Sequence, residues 1–186
     1  MPVLDEFLQL CAGEITRRAS SMGQPVLVEG AAAFQAAVND AQLIDTELST
    51  IGAQQCLAQV APDTASNPAI AERAIQAAKQ VPWQPTTRLP GDDGSAVGLG
   101  LIDKARSFGA NICGLMLVSP GARYPEHTHP PQELYLPIYG DGQWRFGGSD
   151  DYTVLAHDTL VYNNPSDLHG MTAGASPELA LYFLWP

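Results

Sequence analysis

The chain has four histidines, and two of them fall in one short run, from Gly121-Ala122-Arg123-Tyr124-Pro125-Glu126 through His127-Thr128-His129 to Pro130-Pro131-Gln132-Glu133. On an extended strand, residues i and i+2 point to the same face. His127 and His129 can therefore aim both imidazoles at one point, with Glu133 entering from the next turn or strand. Two imidazoles and a carboxylate suit one first-row divalent metal ion, and Zn, Fe, Mn, Co and Ni are all compatible. A fourth ligand has to come from elsewhere. His169 is favoured because it follows Asn163-Asn164-Pro165-Ser166-Asp167, a turn at the end of an apolar strand. His157, beside Asp158 ahead of that strand, is the poorer alternative.

Ligands this far apart in sequence need a scaffold that closes on itself. From Val81-Pro82-Trp83 onward, Gly and Pro punctuate short apolar segments: residues 111–118, 133–140, 143–148, 158–164 and 178–185. Short strands with turn signals and no long helix between them predict a β-sandwich or barrel over residues 81–186. Residues 1–80 have a different texture. Val3, Leu4, Phe7, Leu8, Leu10, Cys11 and Ile15 recur at helical spacing up to about Arg18, with Arg17 and Arg18 placed to complement a helix C-terminus. The Ala-rich and Gln-rich stretches 31–40 and 46–61 are also expected to be helical. Asn67-Pro68 supplies an N-cap and a first-turn proline for a further helix. The expectation is one helical extension ahead of one barrel.

Composition narrows the partners. The chain has 186 residues, 45% hydrophobic and 16% charged, enough for one sizeable core. Nine Lys and Arg against twenty Asp and Glu give a net charge of -11, which repels phosphate backbones and anionic lipid headgroups. A small-molecule ligand is expected, without nucleic acid or membrane. The start of the chain lacks a basic leader ahead of an apolar run, and no stretch approaches a membrane span, so the expected compartment is the cytoplasm. Cys11, Cys56 and Cys113 are odd in number and widely spaced, which reads as buried thiols. The amphipathic helices are compatible with a monomer or a homodimer.

The histidine segment fits the first cupin motif, G(x)5HxH(x)3,4E(x)6G, at Gly121, His127, His129, Glu133 and Gly140. The second motif, G(x)5PxG(x)2H(x)3N, is met in part: Pro165 precedes His169 by four residues, Asp167 lies near the usual Gly, and Ala173 replaces the usual Asn. The chain therefore resembles the cupin superfamily, which implies a mainly β, double-stranded β-helix (jelly-roll) barrel. The helices ahead of the barrel, Tyr124 before the first His, and the run from His127 to Trp144 with Tyr135 two residues after Glu133 further resemble the cupin dimethylsulfoniopropionate lyases of the DddQ and DddL type.

That resemblance implies a metal held by His129, Glu133 and His169. His127 is close by, either as a ligand or against the substrate, and Tyr135 and Tyr124 face the substrate. The implied reaction removes an α proton and expels dimethyl sulfide from the β carbon, leaving acrylate. Tyr135 is the candidate base, with Tyr124 as a partner or alternative. An unperturbed phenol, with a pKa of about 10, needs a nearby cation to act at neutral pH. Aromatic faces hold soft cations, which makes Trp144, Tyr162 and Trp185 candidate substrate contacts. Arg123, Arg145 and Lys104 are weaker candidates for the anionic end. Because one scaffold hosts many reactions, an Fe-dependent dioxygenase, a lyase acting on another β-substituted carboxylate, and a non-catalytic binding cupin remain as alternatives.

Overall fold

The computed structural model describes residues 2–86, 94–156 and 158–186. The chain opens with α1 (Pro2–Met22) and α2 (Pro25–Asp40), and a third helix, α3 (Pro68–Ala77), follows. Helix α1 runs a full turn beyond Arg18 and ends at Gly23, whose φ of 67 is easy for a residue without Cβ. Pro25 then opens α2 at once, so this helix begins six residues earlier than the Ala-rich stretch implied. Asn67 caps α3 as expected, its Oδ1 accepting from the Ile70 N–H at 3.2 Å.

The 46–61 stretch departs from expectation. Only Gly52–Gln59 is helical, and as a 3-10 helix. The residues before it form a rim: the Ile44 N–H bonds to Ala105, and the Ser49 hydroxyl both donates to the Trp83 carbonyl (2.7 Å) and accepts from the Trp83 N–H (3.0 Å). A Ser hydroxyl engaged with a distant strand competes with local helix bonding.

Arg17 and Arg18 also serve a different purpose from the one their position suggested. Both bond to Glu14, and Arg18 is buried, with its guanidinium reaching the Pro137 and Thr159 carbonyls and the Ser66 hydroxyl. These bonds tie α1 to the barrel, and the paired arginines hold the Glu14 carboxyl at about 2.

The described strands, in chain order, are β1 (Gln42–Leu43), β2 (Trp83–Pro85), β3 (Val97–Gly100), β4 (Arg106–Ser107), β5 (Ile112–Val118) and β6 (Arg123–His127), then β7 (Gln132–Tyr139), β8 (Gln143–Arg145), β9 (Thr153–Val154), β10 (Val161–Asn163), β11 (His169–Thr172) and β12 (Glu178–Trp185). They form a six-stranded sheet in the order β10-β7-β12-β5-β3-β2 and a four-stranded sheet in the order β6-β11-β8-β9, with β1 and β4 paired separately. This is the jelly-roll barrel that the motifs implied.

Strand period decides what each face does. Along β12, Leu179, Leu181, Phe183 and Trp185 join the core beneath the helices, whereas Ala180, Tyr182 and Leu184 join the cluster inside the barrel. The same alternation sends Leu134, Leu136 and Ile138 of β7 to the helices and Tyr135 inward. The central sheet is thus apolar on both faces, and the helices cover the outer one. Cys11, Cys56 and Cys113 are free and buried. Among the described residues, no helix is long and apolar enough to cross a membrane.

Candidate metal centre and active site

Strand β6 ends at His127, so His129 lies past the strand in a loop rather than on it. The two rings converge all the same, because the loop is pinned by the Ser166 N–H donating to the His129 carbonyl at 2.9 Å. That bond comes from the turn ahead of His169. Ser166 takes a left-handed φ of 67, and the Asp167 carboxylate accepts from both the backbone and the side-chain N–H of Asn164, each at 2.9 Å. A turn one residue shorter than the cupin pattern thus delivers His169 to the first position of β11, directly opposite His127 across the β6–β11 pair.

One ring nitrogen from each of His127, His129 and His169 lies within 4.8 Å of the others, a group that could hold a metal ion. Glu133 Oε2 stands 3.0 Å from Nε2 of His129 and 3.0 Å from Nε2 of His169. Each imidazole is oriented through its other nitrogen. Nδ1 of His127 meets the Pro125 carbonyl at 2.9 Å, that of His129 the Pro131 carbonyl at 3.0 Å, and that of His169 the Asp167 carbonyl at 2.8 Å. A carbonyl only accepts, so each Nδ1 carries the proton, and in a neutral ring Nε2 presents its lone pair.

Those lone pairs face a buried carboxylate. Burial alone would raise the Glu133 carboxyl, but the imidazoles of His129 and His169 beside it outweigh burial and hold the group at about 2, so it stays a carboxylate. His169 Nε2 is buried and has no hydrogen-bond partner among the described residues. Electron-rich atoms facing one another out of water call for a cation between them. Two donors about 2.1 Å from one ion lie roughly 3.0–3.4 Å apart, which matches the spacing of Glu133 from His129 and His169. The donor set therefore fits a divalent metal.

Asn163, which sequence reading passed over, sits opposite Glu133 in the β10–β7 pair. Its Nδ2 donates to Glu133 Oε2 at 3.2 Å, and its Oδ1 accepts from the Gly147 N–H at 3.1 Å. A buried amide that orients a ligand typically changes metal affinity by about 10–100-fold. Asn163→Ala is accordingly expected to weaken metal binding by about that factor while the protein stays folded; titration of the chelated protein against a competing metal indicator measures it.

Beside this cluster lies a cavity of about 290 Å³ lined by His127, His129, Glu133, Tyr124, Tyr135 and Tyr182, with Gln84, Leu99, Leu101, Asp103, Lys104, Ile112 and Leu184 completing its wall. The Tyr124 ring lies 4.8 Å from that of His127. Tyr135 is buried and bonds to Glu133; burial first, then the charge of Glu133, push its phenol well above the ordinary range. Tyr182 pairs with Tyr135 across β12 and β7 and was not singled out from the sequence.

The other aromatic candidates are placed differently. Trp144 lies inside the barrel with its ring 5.2 Å from Tyr135, edge to face, and its side chain bonds to Glu178, so it backs the cavity rather than lining it. Tyr162 and Trp185 stand on the helix side of the sheet, 6.0 Å apart, and the Tyr162 hydroxyl donates to Gln132. Arg123 and Arg145 pair with Glu126 outside the cavity. Lys104, favoured no more than the two arginines, lies in its wall. His157 lies outside the described residues.

A family model described as dimethylsulfoniopropionate lyase matches residues 109–180, the segment that carries His127, His129, Glu133 and His169. The crystal structure of DMSP lyase DddQ from Ruegeria pomeroyi DSS-3 superposes with a TM-score of 0.74 at 18% identity, covering 100% of this chain and 92% of that one. The chain has the cupin fold and resembles the dimethylsulfoniopropionate lyases. Structures of the DMSP lyases RdDddP and RnDddQII give a TM-score of 0.69 at 19% identity, covering 96% of this chain and 94% of the match. No curated protein matches the sequence. The likeness to these lyases extends through the N-terminal helices, so the helical cover belongs to the shared architecture as well as the barrel.

Proposed function

We propose that this protein is a metal-dependent dimethylsulfoniopropionate lyase, using one divalent ion held by His129, Glu133, His169 and His127. The observation that carries this reading is the junction of that donor set with Tyr135, which bonds to the ligand Glu133 in the wall of the same cavity. When bound, a divalent cation supplies a Lewis acid for a substrate carboxylate and a positive charge that favours the phenolate over the phenol.

In this reading the carboxylate end of the substrate enters toward the histidines, and Tyr135 Oη takes the α proton. The electron pair of that C–H bond forms the Cα–Cβ double bond. The Cβ–S bond breaks, and dimethyl sulfide leaves with its electrons, so acrylate and dimethyl sulfide balance the equation. Tyr124, whose ring lies against that of His127, positions the substrate or shares the proton transfer. The apolar wall of Leu99, Leu101 and Leu184 keeps water from the reacting carbons.

Headspace dimethyl sulfide from purified protein given dimethylsulfoniopropionate, with chelated and metal-restored samples in parallel, tests the reading. Release is expected from the metal-restored protein and not from the chelated one. Absence of release with every divalent metal overturns the substrate assignment and directs the search to other β-substituted carboxylates.

A further inference from the structure

One charged group in the cavity wall has no part in the elimination as drawn. Asp103 stands in the 3-10 turn Ile102–Lys104, and its side chain is 15% exposed. Oδ2 pairs with the Lys104 ammonium at 3.3 Å, but Lys104 is itself 61% exposed, and such a screened pair contributes little. Oδ1 is out of water and has no hydrogen-bond partner among the described residues. A buried carboxylate oxygen left without a hydrogen bond is costly, so the group as a whole gains from any cation that the cavity admits beside it.

The surroundings define that ligand. On the histidine side the cavity presents the metal-ligating cluster, which suits an anionic group. Asp103 offers negative charge elsewhere in the wall, and Leu99, Leu101, Ile112, Leu184 and the Tyr182 ring provide apolar surface. An anionic end, a short carbon spacer and a methylated cationic end would satisfy each part in turn. Methyl groups on the cation match the apolar wall, and the diffuse positive charge needs a counter-ion more than it needs directed acceptors.

We propose that Asp103 is the specificity-determining counter-ion for the onium end of a zwitterionic carboxylate. This rests on the lyase reading for the orientation of the ligand, not for the presence of the carboxylate. It also gives Lys104 a role: its ammonium partly screens Asp103, so its removal should strengthen the preference.

Calorimetry on metal-loaded protein tests this without turnover. The probes are 3-(trimethylammonio)propionate and 4,4-dimethylpentanoate, which share shape and length and differ in the charge. The wild type is expected to bind the charged probe about tenfold more tightly. Asp103→Asn should bring the two probes to within about twofold of each other and leave the affinity for 4,4-dimethylpentanoate unchanged. Lys104→Gln, at an exposed position, should widen the preference and serves as the second variant if Asp103→Asn fails to fold. A wild type without preference, an equal preference in Asp103→Asn, or no widening in a folded Lys104→Gln overturns the inference. Dimethyl sulfide release with a preference independent of Asp103 removes this inference alone, whereas a preference that depends on Asp103 without dimethyl sulfide release removes the lyase reading alone.

Discussion

His169→Ala is expected to lose the bound metal and turnover together. The substitution removes one of the two imidazoles within 3.0 Å of Glu133 Oε2 and leaves a small void at the first position of β11. Glu133 loses one of the two imidazoles that hold its carboxyl at about 2, and the buried charge keeps His129, Asn163 and Tyr135 as its partners. Loss of Lewis-acid stabilisation of about 4 kcal/mol corresponds to roughly a thousandfold in rate. Elemental analysis of the dialysed protein and headspace dimethyl sulfide measure the two effects on one sample. His157→Ala is the matched control and should keep both metal and activity. Metal retained in His169→Ala, or lost in His157→Ala, would replace the ligand set proposed here.

The second large effect is expected from Tyr135→Phe. The phenyl ring keeps the packing against Trp144, so the barrel interior and the metal content should be preserved. Turnover should nevertheless fall by about 10²-fold or more, the usual scale for removal of a general base. Burial and the neighbouring Glu133 charge both push the Tyr135 phenol upward, which makes it a base only while positive charge is held nearby. Elemental analysis, substrate calorimetry and rate on the same variant separate these roles. Unchanged metal and binding with a collapsed rate is the expected pattern; near-normal turnover would transfer the base to Tyr124, whose ring lies against His127.

These two variants divide the site by function. His169 is placed by a turn and a cross-strand partner and acts on the donor geometry, whereas Tyr135 is placed by the inward parity of β7 and acts on the proton. They should fail in different ways because the metal cluster and the phenol share Glu133 but not their supports. Asn163→Ala falls between them, since it leaves every donor in place and loosens only the carboxylate.

Much of the site could be read locally. His127, His129 and Glu133 lie within one short run, and alternation along residues 132–139 puts Glu133 and Tyr135 on one face without knowledge of any neighbour. The glycines of the first motif also explain themselves: Gly121 and Gly140 take φ of 69 and 138, which side chains resist. The N-cap of α3 and the strands at 112–118 and 178–185 follow from the same short-range rules.

What the sequence by itself determined, then, is which residues share a face and which turns interrupt them. Which face meets the cavity was decided only by tertiary pairing. Tyr162 and Trp185 had the right chemistry for an onium site, but the pairing of Tyr162 with Leu134 and of Trp185 with Gln132 sets them beneath the helices. Strands apolar on both faces carry no polar alternation to reveal this beforehand. Tyr182, Asn163 and Asp103 reach the site from distant segments through strand register and a short turn, and in the 46–61 stretch Ser49 bonds to the Trp83 backbone ahead of a 3-10 helix confined to Gly52–Gln59. The physical reason is one of range. Side-chain period and turn chemistry act over a few residues, whereas register and the partner across a cavity are set by contacts between segments many tens of residues apart.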